Sequence, residues 1–274
     1  MLSYQHDYHA GNHADVLKHW LLIECMLYMQ QKDSGFDYID THAGSGWYRL
    51  DSPLAMKNAE FRSGIARLLQ TPIAEMERYL QLVRDPVSRN RYPGSAALVG
   101  ELLRAQDRAW LYEMHPQAFK ELRHHCERKR QVFVLPEDGF KGLLARLPVA
   151  SQRALVLIDP AYELKEDYRK VVTTLEKAWQ KMPRATYLLW YPVVDAARVQ
   201  RLQRELQKTR IRNVHLFELN VREAGAAGMT GSGIIIINPP WTLPAKAHEV
   251  LPALAATLAD GGVGSSRSVC LVPE

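Results

Sequence analysis

Residues 154–158 read Ala-Leu-Val-Leu-Ile and stop at Asp159-Pro160, and residues 234–237 are four isoleucines closed by Asn238-Pro239. A run with no polar residue on either side of its pleat describes a strand buried on both faces, so such a chain needs helices above and below a sheet. Related runs stand at 36–40, 109–112, 132–135, 186–191 and 214–219, each ending near a polar or turn-forming residue. Helix-length patterns separate them at 15–29, 116–129, 165–181 and 195–208, and Pro116 suits a first helical turn. This alternation predicts an α/β fold with a doubly wound, mostly parallel, Rossmann-like sheet. Residues 47–91 interrupt it with a polar, helical stretch between Ser52-Pro53 and Tyr92-Pro93-Gly94-Ser95. They read as an inserted helical subdomain in a single domain spanning 1–274.

Composition narrows the class of protein. With 47% hydrophobic and 24% charged residues the chain can bury a core, which excludes wholesale disorder. No stretch approaches the ~20 consecutive apolar residues of a membrane span. Residues 1–7 offer neither a basic region nor an apolar core, so no secretory leader is expected. Cys25, Cys126 and Cys270 are scattered and odd in number, which argues against a disulfide framework or zinc ribbon and for the cytoplasm. The net charge of +5 permits a polyanionic partner without requiring one.

Chemistry concentrates at the strand ends. Asp40-Thr41-His42-Ala43-Gly44-Ser45-Gly46 forms a glycine turn where open α/β folds bind nucleotides, but it is neither Gly-x-Gly-x-x-Gly nor a Walker loop. Glu113 closes the next strand, where an acid can accept two ribose hydroxyls. Asp138-Gly139 closes the third, where an adenine ring would sit. Taken singly, either acid reads as a surface group. The succession of glycine turn, acid and aspartate describes an S-adenosylmethionine pocket.

Asp159-Pro160-Ala161-Tyr162 closes the fourth run and differs by one residue from the Asp-Pro-Pro-Tyr of enzymes that methylate exocyclic amines. The adenine N6 lone pair is delocalised into the ring. A carboxylate and a proline carbonyl that accept its two protons draw the pair out and offset the charge that develops. Tyr162 is expected to give a stacking face for an extruded base. The ordinary alternative is a plain strand end, since Asp-Pro often begins a turn. Asn238-Pro239-Pro240-Trp241 also fits the broader pattern; its place after a late strand favours a structural or substrate-side role.

The N-terminal segment carries His6, His9, His13 and His19 among Tyr4, Tyr8 and Lys18. His9 and His13 have i, i+4 spacing, yet no Glu follows as in His-Glu-x-x-His, so no metal is assigned. Interleaved aromatic and cationic residues suit base stacking and phosphate contacts better. Basic helical faces at His124, His125, Arg128, Lys129 and Arg130, and at Arg198, Arg201, Arg204, Lys208, Arg210 and Arg212, extend such a surface or are merely solvated.

Several motifs stand in order along the chain: Tyr4, His6, the run 9–19, Asp40-Thr41-His42-Ala43-Gly44, Tyr92-Pro93-Gly94-Ser95, Asp159-Pro160-x-Tyr162-Glu163, Trp190-Tyr191-Pro192-Val193-Val194 and Asn238-Pro239-Pro240-Trp241. With these the sequence resembles the J-type ribosomal large-subunit RNA methyltransferase family, RlmJ, over nearly its whole length. The resemblance implies a Rossmann-like methyltransferase with a helical insertion. It implies methyl transfer from S-adenosylmethionine to N6 of an adenine in domain V of 23S rRNA. Carried over by motif, Lys18, His19, His42, Ser95, Glu113, Asp138, Gly139 and Asp159 would hold the donor. Asp159, with Pro160 and Tyr162, would be catalytic, and Tyr4, His6 and Lys18 would touch the RNA. The expected substrate is protein-free or early-assembly 23S rRNA, and the expected protein a cytoplasmic monomer without metal or membrane attachment. Ala161 departs from the family's second proline, which loosens the turn. Two alternatives stay open: a DNA adenine-N6 methyltransferase, and a non-catalytic RNA-binding or ribosome-assembly factor.

Overall fold

The computed structural model describes residues 6–126, 129–162, 166–223 and 225–274; Tyr4, Arg128 and Glu163 lie outside them. The strands are β1 (Asp37–Asp40), β2 (Trp47–Arg49), β3 (Arg91–Pro93), β4 (Arg108–Tyr112), β5 (Val132–Leu135), β6 (Ala154–Ile158), β7 (Thr186–Val193), β8 (Val214–Asn220), β9 (Gly231–Ile237) and β10 (Ser265–Val272). The α-helices are α1 (His13–Met29), α2 (Pro53–Asn58), α3 (Ile65–Gln70), α4 (Glu77–Ser88), α5 (Ser95–Leu102), α6 (Pro116–Cys126), α7 (Gly139–Arg146), α8 (Asp167–Lys181), α9 (Ala196–Gln207) and α10 (Leu243–Leu258).

Eight strands form one sheet in the order β5-β4-β1-β6-β7-β9-β8-β10. The five from β5 to β7 are parallel, while β9 runs antiparallel between β7 and β8, and β10 is antiparallel to β8. This is the doubly wound, Rossmann-like sheet anticipated from the apolar runs. The strand order reverses beside β1, and the crevice at the carboxyl ends of β1 and β6 is where such sheets take ligands.

Alternation along β6 shows how the layers form. Leu155 and Leu157 join the apolar core containing α1, α5 and α10, whereas Val156 and Ile158 face α7 and α8 on the other side. The sequence patterns do not reveal β10, because it lies at the edge and reads Ser-Ser-Arg-Ser-Val-Cys-Leu-Val, partly exposed. Pro244 and Pro252 similarly obscure α10.

Two features position the site. The first is α1, whose residues 14–23 are all buried. Asn12 caps it by accepting hydrogen bonds from Ala14 N and Asp15 N. A helix buried all round carries its polar residues inward, so Asp15, Lys18 and His19 must find partners there. The second is the excursion between β2 and β3, which pair antiparallel and close its ends. Its helices have no separate core: Ile65, Leu68, Tyr79 and Leu80 share the apolar cluster of Trp20 on α1 and Leu254 on α10. Glu60 Oε2 lies 3.0 Å from His9 Nδ1 and accepts from Asn12 Nδ2 at 2.9 Å, and Ile65 N donates to Gly11 O at 2.8 Å. The excursion thereby fastens the segment before α1 against the sheet. Among the described residues, no helix is long and apolar enough to cross a membrane.

Candidate active site

The glycine turn follows β1 directly. Thr41 N bonds Leu157 O of the neighbouring strand, and Ala43 N bonds Tyr112 O. Gly44 has φ +61°, and a Cβ there would lie 2.1 Å from the Tyr48 hydroxyl, so only glycine fits. Its N–H donates to Glu113 Oε2 at 2.9 Å, and His115 N donates to Glu113 Oε1 at 2.7 Å. Two backbone donors thus orient the Glu113 carboxylate while leaving it capacity for further donors. A cavity of about 330 Å³ opens above this turn. His6, Asp7, Lys18, His19, His42, Gly44, Ser95, Glu113, Asp159, Pro160 and Trp190 are among its walls.

A second cavity of about 250 Å³ adjoins it, walled in part by Asn12, Asp15, Tyr162, Tyr168, Pro192, Val194 and Arg198. Both cavities share His6, Lys18, Asp159, Ala161 and Trp190.

At this junction Lys18 Nζ donates to Asp159 Oδ2 at 2.6 Å and lies 2.8 Å from Asp15 Oδ1. Asp15, buried, also receives Gly11 N at 2.9 Å and faces His6 Nε2 at 2.9 Å. Burial alone would push the Lys18 ammonium down, but the Asp15 and Asp159 carboxylates hold it well above the usual lysine value. Burial likewise opposes an ionised Asp15, and the charges of His6 and Lys18 outweigh it and keep its carboxyl well below the usual range.

Burial keeps His19 and His42 neutral. It pulls His19 down to about 3 and His42 down to about 4. His19 Nδ1 is 2.8 Å from the Tyr92 hydroxyl, and His42 Nδ1 is 2.8 Å from Thr41 Oγ1. The N-terminal histidines go to separate places: His6 to Asp15, His9 to Glu60, His19 to Tyr92, and the half-buried His13 to the Gly231 backbone.

Asp40, at the end of β1, carries no expectation from the sequence beyond its place in the turn. It is fully buried and accepts Tyr38 Oη at 2.7 Å, Ser95 Oγ at 2.6 Å and His42 N at 3.2 Å. Burial raises its carboxyl to about 6. Ser95 lines the cavity, and its hydroxyl is anchored by donating to this carboxylate. The signal for Asp40 was local: an acid ending a buried strand has to be satisfied by the turn that follows.

Two expectations need correction or refinement, and Asn238-Pro239-Pro240-Trp241 stands away from the cavity, as its place after a late strand leads one to expect. Tyr162 is not an open stacking face: its ring is 9% exposed, and its hydroxyl donates to Trp190 O at 2.7 Å. The backbone there is left-handed, φ +51°, which turns the side chain inward, and such strain in a non-glycine residue collects at functional sites. Asp138 and Gly139 do not wall the cavity. Asp138 caps α7 by accepting Phe140 N at 2.9 Å and Lys141 N at 3.2 Å, and Lys170 Nζ lies 3.4 Å from its other oxygen. Gly139 packs against the glycine turn, where an added Cβ would sit 1.9 Å from Thr41 O. Both act on the site through that contact and through Phe140, whose ring meets His42 edge-on at 5.0 Å. Asn238-Pro239-Pro240-Trp241 lies at the opposite sheet edge, because β9 runs antiparallel to β7 and pairs Ile237 with Tyr187. Asn238 Nδ2 there ties Pro183 O at 2.7 Å and Ala185 O at 2.8 Å.

The family model described as "Ribosomal RNA large subunit methyltransferase D, RlmJ" matches residues 33–272. The chain is 43% identical over 281 residues to ribosomal RNA large subunit methyltransferase J of Haemophilus influenzae, covering 100% of each chain. It is 41% identical over 280 residues to the protein of the same name in Escherichia coli, again covering 100% of each. A solved structure from Legionella pneumophila superposes with a TM-score of 0.88 at 32% identity, covering 96% of this chain and 98% of that one.

Proposed function

Since the chain belongs to the ribosomal RNA large subunit methyltransferase J family, RlmJ, we propose that Asp159 directs methyl transfer from S-adenosylmethionine to N6 of an adenine in 23S rRNA. The observation that carries this reading is the junction: the two cavities meet at Asp159, Lys18 and Trp190. One is the donor pocket and the other receives the base.

The residues of the larger cavity fit the donor. Its volume of about 330 Å³ lies in the small-ligand range. Asp7, Glu113 and Asp159 suit a ligand that carries a sulfonium and an ammonium, and Gly44 lets the backbone approach closely. The bound donor supplies an electrophilic methyl group on its sulfonium. Glu113, oriented by Gly44 N and His115 N, accepts the ribose hydroxyls. Ser95, His19 and His42 line the pocket without adding positive charge, the histidines because burial keeps them neutral.

Asp159 does the work at the amine. Lys18 occupies Oδ2, and Oδ1 accepts no hydrogen bond among the described residues. Oδ1 accepts a hydrogen bond from one N6–H and the Pro160 carbonyl from the other, so the nitrogen lone pair leaves conjugation with the ring and forms the new C–N bond as the methyl's bond to sulfur breaks, its electron pair remaining on a neutral thioether. The proton that N6 sheds passes to Asp159. Lys18 fixes the rotamer of the carboxylate at the junction. Trp190, shared by both cavities, supplies the aromatic wall first assigned to Tyr162, while Tyr162 braces Trp190 from behind. Tyr4 and His6 contact the RNA from the N-terminal side. The protein acts in the cytoplasm, where its rRNA substrate resides.

Transfer of labelled methyl groups to protein-free 23S rRNA and to duplex DNA, followed by mapping of the modified base, tests the proposal. N6-methyladenine in the RNA alone is expected. Label in DNA would favour a DNA methyltransferase, and RNA binding without transfer would favour an assembly factor.

A further inference from the structure

The base cavity does not end at the active site. Tyr168 and Arg198 line it and also line a separate groove of about 570 Å³ between α8 and α9. From this continuity we propose that the single-stranded RNA flanking the target adenine leaves the base cavity across Tyr168 and runs along the α8–α9 groove. The proposal rests on Asp159 being the point of transfer, because that places the target base at the head of this path.

The geometry favours a nucleic-acid strand over other occupants. Tyr168 is half-buried and supported from below by Tyr162, with ring centroids 4.5 Å apart at 47°. Its outer side forms a wall common to the base cavity and the groove. An aromatic face held in this way takes any base by stacking, independent of sequence. Arg169, Arg198 and Arg201 also line the groove, where their guanidinium groups can meet phosphates. Three acids also line the groove, but two have partners on their own helix or its cap. Asp195 caps α9 through Ala197 N at 2.8 Å and lies 3.4 Å from Arg198 Nε, and Glu205 accepts from Lys208 Nζ at 2.9 Å. That leaves Glu166, against the exposed Arg169 and Arg201 that line the same groove. Acids paired in this way cannot repel a phosphate as strongly as open ones, so the basic α9 face serves RNA as a track.

Steady-state methyl transfer to a protein-free 23S rRNA transcript, with S-adenosylmethionine binding measured separately, provides the test. Tyr168→Ala is expected to raise KM for the transcript at least about fivefold and to leave donor affinity unchanged, while Tyr168→Phe keeps KM within about twofold. Arg201→Glu, at an exposed position, is expected to raise KM several-fold. It should also reduce the steepness of the salt dependence by about one phosphate contact. Should Tyr168→Ala fold poorly, Arg201→Glu decides alone. Wild-type KM and salt dependence in Arg201→Glu, or wild-type KM in a folded Tyr168→Ala, would overturn the proposal. Failure of the Asp159 assignment is distinguishable, because it requires an active Asp159→Asn enzyme whatever the groove variants do.

Discussion

Lys18 Nζ sits 2.6 Å from Asp159 Oδ2 although 141 residues separate them in the chain. Asp15, one helical turn before Lys18, holds the same ammonium from the other side at 2.8 Å. The central helix and the end of β6 are thus joined by one charge shared between two carboxylates. This junction generates most of what can be tested.

Asp159→Asn should abolish methyl transfer almost completely while leaving donor affinity within a few-fold, because the shape stays and the charged acceptor goes. Asn238→Ala should retain wild-type turnover, since Asn238 ties loop carbonyls at the far edge of the sheet. Measured turnover with the opposite pattern would mean that the tetrapeptides have been assigned the wrong way round.

Lys18→Met should both inactivate and destabilise the protein. It strands two carboxylates that are largely shielded from water, and breaking a buried pair from one side costs about 3–5 kcal/mol. Adding Asp15→Asn removes one stranded charge. The double variant should therefore regain part of the stability in urea unfolding and none of the activity. Strictly additive losses would show that the two side chains are not coupled.

Ala161→Pro should fold and turn over at least as fast as the parent. No hydrogen bond from Ala161 N exists among the described residues, so proline removes no donor. Restricting the unfolded chain gains about 0.4–1 kcal/mol where the native φ is compatible. A lower urea midpoint would show that the turn before the left-handed Tyr162 has been built around alanine.

Stability should fall steeply as pH drops from 6.5 towards 4. Burial depresses His13 and His42 to about 4 and His19 to about 3, so these rings stay neutral in the folded protein and take up protons on unfolding. Asp40 works in the opposite sense: raised to about 6, it holds a proton in the folded protein near pH 5 that the unfolded chain releases. The net is uptake of about two protons on unfolding near pH 5, a slope of roughly 2–3 kcal/mol per pH unit, with stability increasing as pH rises. Urea midpoints between pH 4.5 and 6 measure it. Replacing His42 with Gln should remove about one proton from the slope, and a flat profile in the parent protein would contradict the burial of these groups.

Seven of the eight strands of the main sheet, all but β10, were legible in the sequence, with the acids and glycines at their ends. Apolar runs without polar interruption can only be buried, and a strand buried on both faces ends where its first polar turn begins. Asp159 and Glu113 could be placed at strand ends for that reason, and the stretch read as polar and helical at 47–91 holds α2 to α4 between β2 and β3. Tertiary structure alone decided where those ends point. Insertion of β9 antiparallel beside β7 sent Asn238-Pro239-Pro240-Trp241 to the edge away from the site. The left-handed φ of Tyr162 turned its ring into the core, and Asp138 was consumed by capping α7. Lys18 reached Asp159 only because α1 is buried across the sheet. Strand direction, side-chain orientation and pairing between distant residues depend on which surfaces exclude water together, and that competition involves the whole chain.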